Sequence, residues 1–411
     1  MKTLLGALGQ PIFNGYDVLI LTIFIESVIF SAFYFFHSQV LIQFYARSAD
    51  ESKSKLRRRR YSAVVLSDFM LLVGVSELVF LLTYNATLSG WVANNIGIWS
   101  FSLIALVFFF PGALLFRYVT SLIYRRNLSR YFFLIPVALF FMALMVDFLG
   151  LFDGRLQEMF WRPYVLVATV AFALNAVLAV LTLWHLRRYQ KQVQHYFGNL
   201  DAVDARWLVI VTGGFGLIWT MALIPPFIPQ EDRWLVLQQV IIHLPSVLEV
   251  ILLTVAILFG LSQGVRIVNV FPDRKTTDIP EVPREPEFDS ALLTKLEHLM
   301  VEENWYRRAD ITVDQFAEAA GVSVKLVSHA INRHFEKNFY EFVNHYRIEE
   351  IKSRLKHENP SRVPIQKIYE DAGFRSKSSF NTLFRKWVGM TPSQYRKKFG
   401  VTSVRPLSTS L

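Results

Sequence analysis

Residues 373–398 have the sequence GFRSKSSFNTLFRKWVGMTPSQYRKK, and this stretch indicates the fold of the C-terminal part of the chain. Gly373 suits a turn position with left-handed backbone, because glycine has no Cβ to clash there. Ser376 can cap a helix that begins at the next residue. Phe380 and Phe384 are four residues apart, so on a helix they share one face. The stretch therefore predicts a tight turn followed by a helix with one apolar side.

The other side of this predicted helix is polar, and a short helix predicted at residues 365–371 precedes the turn. Two helices joined by a tight turn form a helix-turn-helix unit, whose second helix enters the major groove of DNA. The polar side chains are of the types that bond base edges and phosphates. The candidate DNA-binding residues of this helix and its cap are Ser376, Lys377, Ser378, Asn381, Thr382 and Arg385.

The stretch resembles the signature of the AraC/XylS family of transcription regulators. The matching residues are Gly373, Phe374, Ser376, Ser378, Phe380, Phe384, Gly389, Thr391, Pro392 and Tyr395. The resemblance implies a DNA-binding domain with two helix-turn-helix units and double-stranded promoter DNA as its partner. RNA polymerase is a further candidate partner.

A second unit lies upstream, as the family implies. Residues 316–323 predict a helix and a turn, and residues 324–333 predict its recognition helix. The Ala-Gly pair at residues 320–321 precedes the one at residues 372–373 by 52 positions, so the two units follow each other as a repeat. The candidate DNA-binding residues of this unit are Lys325, Ser328 and His329, with Arg333 assigned to a phosphate.

Two positions depart from the family pattern. Tyr369 stands where the family usually has a small residue, so we expect a change in helix packing there. Glu336 stands where glycine is frequent, after the first recognition helix. We expect either a looser turn at that point or a left-handed residue supplied by Asn338 instead.

Composition separates this chain from ordinary soluble regulators. Of 411 residues, 53% are hydrophobic, the formal net charge is +10 and no residue is cysteine. Disulfides, thiolate catalysis and cysteine-ligated zinc are therefore excluded. The sequence also lacks HExxH, P-loop and Gly-x-Ser-x-Gly motifs and any histidine cluster with metal spacing. We expect no enzyme activity, no catalytic residue, no cofactor and no metal site.

The N-terminal two thirds contain seven apolar runs of the length that crosses a bilayer, about 20 residues. They lie at roughly residues 15–36, 62–84, 96–116, 131–152, 163–185, 206–228 and 234–262. The first, third and fifth loops together hold 15 Lys and Arg, and the segments on the other side hold four. Because basic loops stay in the cytoplasm, the N-terminus is predicted outside and the C-terminus inside. This orientation predicts a multi-pass protein of the bacterial inner (cytoplasmic) membrane with its DNA-binding domain in the cytoplasm.

Acidic side chains inside the predicted spans form a candidate membrane sensing site. Its residues are Glu26, Glu77, Glu249 and the nearby His243. No Lys or Arg lies well inside a span, so these carboxyls are protonated, bonded to neutral partners, hydrated or bound to a cation. Two interpretations stay open: a structural bond between helices, or a polar pocket that responds to protons or a ligand.

The sequence therefore predicts an all-α protein, with a seven-transmembrane helical bundle followed by an AraC-type domain with two helix-turn-helix units. The predicted parts are a sensor domain at 1–262, a proline-containing linker at 263–288, the DNA-binding domain at 289–400 and a tail at 401–411. The leading hypothesis is a membrane-bound one-component transcription regulator. The alternative is a membrane transporter or enzyme domain with an attached DNA-binding module. The lipid bilayer, an unknown signal or membrane protein, and a second copy of the chain are further expected partners.

Overall fold

The structure is a computed structural model. It describes residues 14–45, 53–85, 88, 105, 107–123, 132–148, 161–201, 205–225, 228, 235–267, 290–359 and 363–400. Within these residues the regular structure is helical, and β-pairing is limited to a bridge between Phe197 and Thr312. The predicted all-α class is confirmed. The tail at 401–411 and most of the predicted linker lie outside the described residues.

The chain divides into two compact units. The first contains residues 1–188 and 205–272, and the second contains residues 189–204 and 273–411. Helices of the first unit are α1 (Gly15–Tyr45), α2 (Lys53–Tyr84), α3 (Pro111–Ile123), α4 (Leu134–Phe148), α5 (Trp161–Val193), α6 (Arg206–Met221) and α7 (Leu235–Ile267). Helix α5 continues past the boundary, so its last residues belong to the second unit.

Three helices of the described residues are long and apolar enough to cross a membrane, against the seven spans predicted. They are Gly15–Phe36, Arg60–Leu82 and Val167–Val193. Shorter apolar helices occupy Leu134–Met145, Arg206–Met221 and His243–Phe259. The third predicted span falls largely outside the described residues, and helix α3 covers only its end.

The predicted C-terminal ends of the fifth and sixth spans, at residues 185 and 228, differ from the ends of the helices. Helix α6 ends at Met221, before Pro225 and Pro226, and proline cannot donate the amide hydrogen bond that a helix interior needs. Helix α5 instead runs beyond residue 185 to Val193. Its basic residues, predicted to lie in a loop, therefore belong to the last turns of a helix.

Helices α1 and α2 pack closely through small residues. An added Cβ at Gly74 would come within 2.6 Å of the Ser27 Cβ. The hydroxyls of Ser31 and Ser67 are 2.9 Å apart and hydrogen-bonded. Small and hydroxyl side chains let apolar helices approach and bond closely, so these residues set the close packing of α1 on α2.

Besides the end of α5, the described residues of the second unit form seven helices and a short 3-10 turn at Trp305–Arg307. These helices are α8 (Ser290–Val301), α9 (Val313–Ala320), α10 (Val324–Arg333), α11 (Phe339–His357), α12 (Ile365–Asp371), α13 (Lys377–Val388) and α14 (Pro392–Phe399). The predicted bounds of α10 and α12 agree with the structure. Helix α11, at 19 residues, is the longest helix of this unit and follows the first recognition helix.

The unit has two apolar cores, and the long helix α11 contributes to both. The first core includes Phe316 and Ile331 with Phe342 of α11. The second includes Phe380 and Phe384 with Ile351 of α11. Each helix-turn-helix therefore has its own core, and α11 holds the two together.

Candidate nucleic-acid interface

The turn and cap before α13 have the predicted conformations. Gly373 has φ +94°, and an added Cβ would meet the backbone oxygens of Tyr306 and Arg307 at 2.8 Å. Only glycine combines this backbone angle with so close an approach. The Ser376 hydroxyl accepts a hydrogen bond from the Ser379 amide at 3.0 Å. Ser376 therefore serves as the helix cap, and the start of α13 is fixed against the rest of the unit.

Helix α13 presents an apolar side to the core and a polar side to solvent. The rings of Phe380 and Phe384 are both fully buried, with centroids 5.7 Å apart. Of the predicted DNA-binding residues, Lys377, Ser378, Thr382 and Arg385 are exposed and Asn381 is half-buried. An aromatic anchor holds the helix while its polar side chains face outward, which is the arrangement a recognition helix needs.

The first helix-turn-helix repeats this arrangement with different residues. Ser323 caps α10 by accepting from the Leu326 amide at 3.2 Å, and Val327, Ala330 and Ile331 are buried. Among the predicted DNA-binding residues, Lys325 and Arg333 are exposed, and Ser328 and His329 are half-buried. Helix α10 therefore also offers an outward polar side.

The two departures from the family pattern are accommodated locally. Glu336 takes φ +52°, the left-handed conformation that glycine would favour. The expectation that Asn338 would supply that conformation is wrong, because Asn338 has φ −79° and caps α11 instead. The Tyr369 ring stacks on Phe380 with centroids 4.9 Å apart, so the large side chain fills the space beside the recognition helix.

Arg347 of α11 is the residue of this unit that sequence reasoning missed. Its side chain is fully buried and donates to the carbonyls of Tyr306 at 2.7 Å, Arg308 at 2.9 Å and Gly198 at 3.1 Å. Burial lowers the pKa of Arg347 to about 10, so the guanidinium stays charged at neutral pH. A charged arginine at an inward helix position is the available signal in the sequence. Its role is to tie Gly198 and the turn at residues 306–308 to α11.

An ion-pair network beside the second helix-turn-helix joins α11 to α12. Arg354 donates to the Asp371 carboxylate at 3.1 and 3.2 Å, and Lys367 approaches the same carboxylate at 2.7 Å. The hydrogen bond from Lys367 lowers the pKa of Asp371 most, and the hydrogen bond from Arg354 lowers it further. These side chains are partly exposed, so the pairs position α12 with a small effect on stability.

The structure brings part of the predicted membrane sensing site together. The carboxyls of Glu77 on α2 and Glu249 on α7 lie close enough to interact with each other. Glu26 accepts from the Thr254 hydroxyl at 3.1 Å, so it bonds to α7 separately from the pair.

His243 lies in a neighbouring polar cluster on α7. Its ring packs against Tyr16, with centroids 3.9 Å apart, and the Tyr16 hydroxyl is 3.0 Å from the Ser246 hydroxyl. Near the same end of α1, the Asn85 amide donates to Asp17 at 3.0 Å. Within the described residues no group of three or more His, Asp or Glu could hold a metal ion. The four predicted residues thus divide into a carboxyl pair, a separate Glu26 contact and an aromatic cluster around His243.

Comparisons with known proteins agree with the geometry of the C-terminal unit. A family model described as a helix-turn-helix domain matches residues 316–398. The uncharacterized HTH-type transcriptional regulator YijO of Escherichia coli (strain K12) is 29% identical over 89 residues, which are 22% of this chain and 30% of that protein. The chain thus spans less than a third of the length of this curated relative. No solved structure matches the chain. The C-terminal part of the chain carries a helix-turn-helix domain of the AraC type.

Proposed function

We propose that this protein is a membrane-bound one-component transcription regulator. Its transmembrane part senses a signal, and its C-terminal domain binds promoter DNA sequence-specifically. The observation that carries the proposal is the pair of capped helices, α10 and α13, each anchored by a buried apolar side and each with an outward polar side. Two such helices held by one long helix suit neighbouring turns of a major groove.

The membrane part of the proposal rests on apolar helices and on charge. Three described helices have the length and composition of spans, and three others are apolar but shorter. Large apolar side chains such as Ile25, Phe36 and Val180 are exposed on them, which favours contact with lipid. With the basic segments beside these helices, the features support a multi-pass protein of the bacterial inner membrane with a cytoplasmic DNA-binding domain.

Asn381 provides the direct test of base recognition. In the full chain, Asn381→Ala should weaken binding to the correct site by about 1–3 kcal/mol and relax base preference at one position. The amide of asparagine can pair with one base edge in two places, and alanine removes both bonds. Chromatin enrichment in cells that express each variant would measure occupancy and the preferred sequence together.

Gln366→Ala is the matched control for this test. It removes an exposed side-chain amide from α12, the preceding helix of the same unit. We expect it to keep both occupancy and sequence preference. If Asn381→Ala left the preferred sequence unchanged, α13 would not read bases through Asn381. If the wild-type chain enriched no sequence at all, the proposed function itself would be wrong.

The carboxyl pair provides the test of sensing. Glutamine at position 249 removes the ionisable group but keeps a hydrogen-bonding partner for Glu77. Because a signal can shift an equilibrium only through unequal interaction with its two states, Glu249→Gln should change promoter output at equal protein levels. A reporter fused to a promoter found by chromatin enrichment would measure it.

Asp68→Asn is the control for the carboxyl pair, since Asp68 is an exposed acid on the same helix as Glu77. We expect this variant to signal as the wild type does. Normal output from both Glu249→Gln and Glu77→Gln would reduce the pair to a structural bond between α2 and α7. Appearance of a soluble fragment upon stimulation would instead indicate that the domain acts after cleavage.

A further inference from the structure

Residues 194–201, which follow α5, pack against the helices of the second unit, and we call them the docked segment. Their backbone bonds run to three elements of the DNA-binding domain. The Gly198 amide donates to the Ile311 carbonyl at 3.0 Å, and Phe197 pairs with Thr312 in a β-bridge. The Gly198 carbonyl accepts from Asn344 at 3.0 Å and from Arg347 at 3.1 Å. The segment is therefore held by specific bonds, many of them to buried groups.

The docked segment also completes two helix starts of the domain. The Val313 amide, at the first position of α9, donates to the Tyr196 carbonyl at 2.9 Å. The Tyr340 amide, at the second position of α11, donates to the Gln194 carbonyl at 2.9 Å. Amides in the first turn of a helix have no partner within the helix. The domain thus uses backbone carbonyls from a distant part of the chain to satisfy them.

Gly198 fits because it has no side chain. A Cβ at this position would come within 2.6 Å of the Ile311 Cγ2 and 3.1 Å of a Val343 methyl. Ile311 and Val343 are both fully buried in the first core. This site is therefore shaped for the glycine, and any larger residue would have to displace the segment or the core.

The end of the docked segment reaches the second recognition helix. The Asp201 carboxylate accepts a hydrogen bond from the Ser379 hydroxyl in the first turn of α13. Ser379 follows Ser378 directly and precedes Thr382 by one turn, so it borders the polar side predicted to bind DNA. The second carboxylate oxygen of Asp201 is buried and has no hydrogen-bond partner within the described residues.

We infer that the docked segment restrains DNA binding, with the Asp201 carboxylate occupying the place of a DNA phosphate at the first turn of α13. The inference rests on the proposed function, since it concerns the same recognition helix. The start of a helix attracts anions through its free amides and its dipole. A carboxylate fixed there competes with phosphate and repels it. DNA therefore binds more tightly when Asp201 moves away.

The position of the segment in the chain gives the restraint a route of control. The docked segment begins directly after the last residue of α5, and α5 contains the candidate span Val167–Val193. No loop separates the helix from the segment. A shift or rotation of α5 would therefore be passed directly to Gln194 and the residues that follow it.

The test uses the full chain, solubilised or in lipid nanodiscs, and a promoter fragment identified by chromatin enrichment. Asp201→Asn removes the charge and keeps the shape of the side chain and all backbone bonds of the docked segment. We expect about two- to fivefold tighter binding, the size of effect that a charge at a helix terminus produces. The control is Asp314→Asn, which removes one negative charge from an exposed position on α9. It should change the affinity less than Asp201→Asn does.

A second measurement does not depend on any substitution. If DNA and the docked segment exclude each other, DNA must loosen the segment as much as the segment weakens DNA binding. Hydrogen exchange in peptides that cover residues 194–201 should therefore quicken when promoter DNA is added to the wild-type chain. Slower exchange there, or an Asp201→Asn affinity no higher than that of Asp314→Asn, would overturn the restraint while promoter binding itself stood. Absence of binding by the wild type and both variants would instead overturn the proposed function.

Discussion

Gly373→Ala should destabilise the second helix-turn-helix by about 2–4 kcal/mol. Two costs add at this position. Alanine at φ +94° is strained, and its Cβ would lie 2.8 Å from two backbone oxygens, those of Tyr306 and Arg307. Backbone atoms of a packed turn cannot move aside as a flexible side chain can. Hydrogen exchange of α13 in the full chain would measure the lost free energy as faster opening.

Gly389→Ala separates these two costs. Gly389 also has positive φ, +77°, but nothing lies within 4 Å of an added Cβ. It should cost only the conformational strain, about 1 kcal/mol. Equal effects of the two substitutions would show that the contact with the 305–307 turn contributes nothing. The difference between them is the part of the stability that comes from the close approach of Gly373.

Arg347→Met should destabilise the domain by about 2–4 kcal/mol. Methionine keeps much of the length of the side chain but removes the donors to three backbone carbonyls, those of Gly198, Tyr306 and Arg308. A buried carbonyl that loses its hydrogen-bond donor is costly, because water cannot reach it to replace that donor. Hydrogen exchange of α9 and α11 in the full chain would report the loss.

Arg354→Met is the matched control, on the same helix two turns later. Arg354 makes more ion pairs than Arg347 does, with Glu350, Glu358 and Asp371, but these are partly exposed. Exposed pairs contribute about 0–1 kcal/mol, so we expect a small effect. A larger loss for Arg354→Met than for Arg347→Met would contradict the view that buried carbonyl bonds hold the domain together.

The helices of the DNA-binding domain could be predicted closely from sequence, because their signals are local. Ser323 and Ser376 each cap the helix that begins one residue later, and a left-handed glycine closes the preceding turn. Periodic apolar residues such as Phe380 and Phe384 then fix the buried side. A few adjacent residues carry all of this information.

The docked segment could not be predicted, because its bonds leave no pattern in the sequence. Gln194 and Tyr196 contribute their backbone carbonyls, which any residue could supply. Gly198 carries a weak signal, since a lone glycine has many explanations. The partners lie more than a hundred residues away, so the sequence alone predicts a loop between two apolar runs at this place.

The apolar helices of the first unit can be predicted from sequence as apolar runs, but their lengths and pairings cannot. Hydropathy locates a run, whereas breaks such as Pro225 and Pro226 decide where the helix ends. The approach of Glu77 to Glu249 depends on how two helices are rotated against each other. Their sequence positions are compatible with many rotations, so only the fold could bring the two carboxyls together.

The capped amides of Val313 and Tyr340 have a consequence for release of the domain by proteolysis. A cut within residues 268–288 would break the chain between α7 and α8, but it would leave the carbonyls of Gln194 and Tyr196 bonded to the domain. The severed piece would stay attached, as the two parts of a nicked protein do. Freeing a diffusible regulator would therefore take two events, cleavage of the linker and withdrawal of the docked segment.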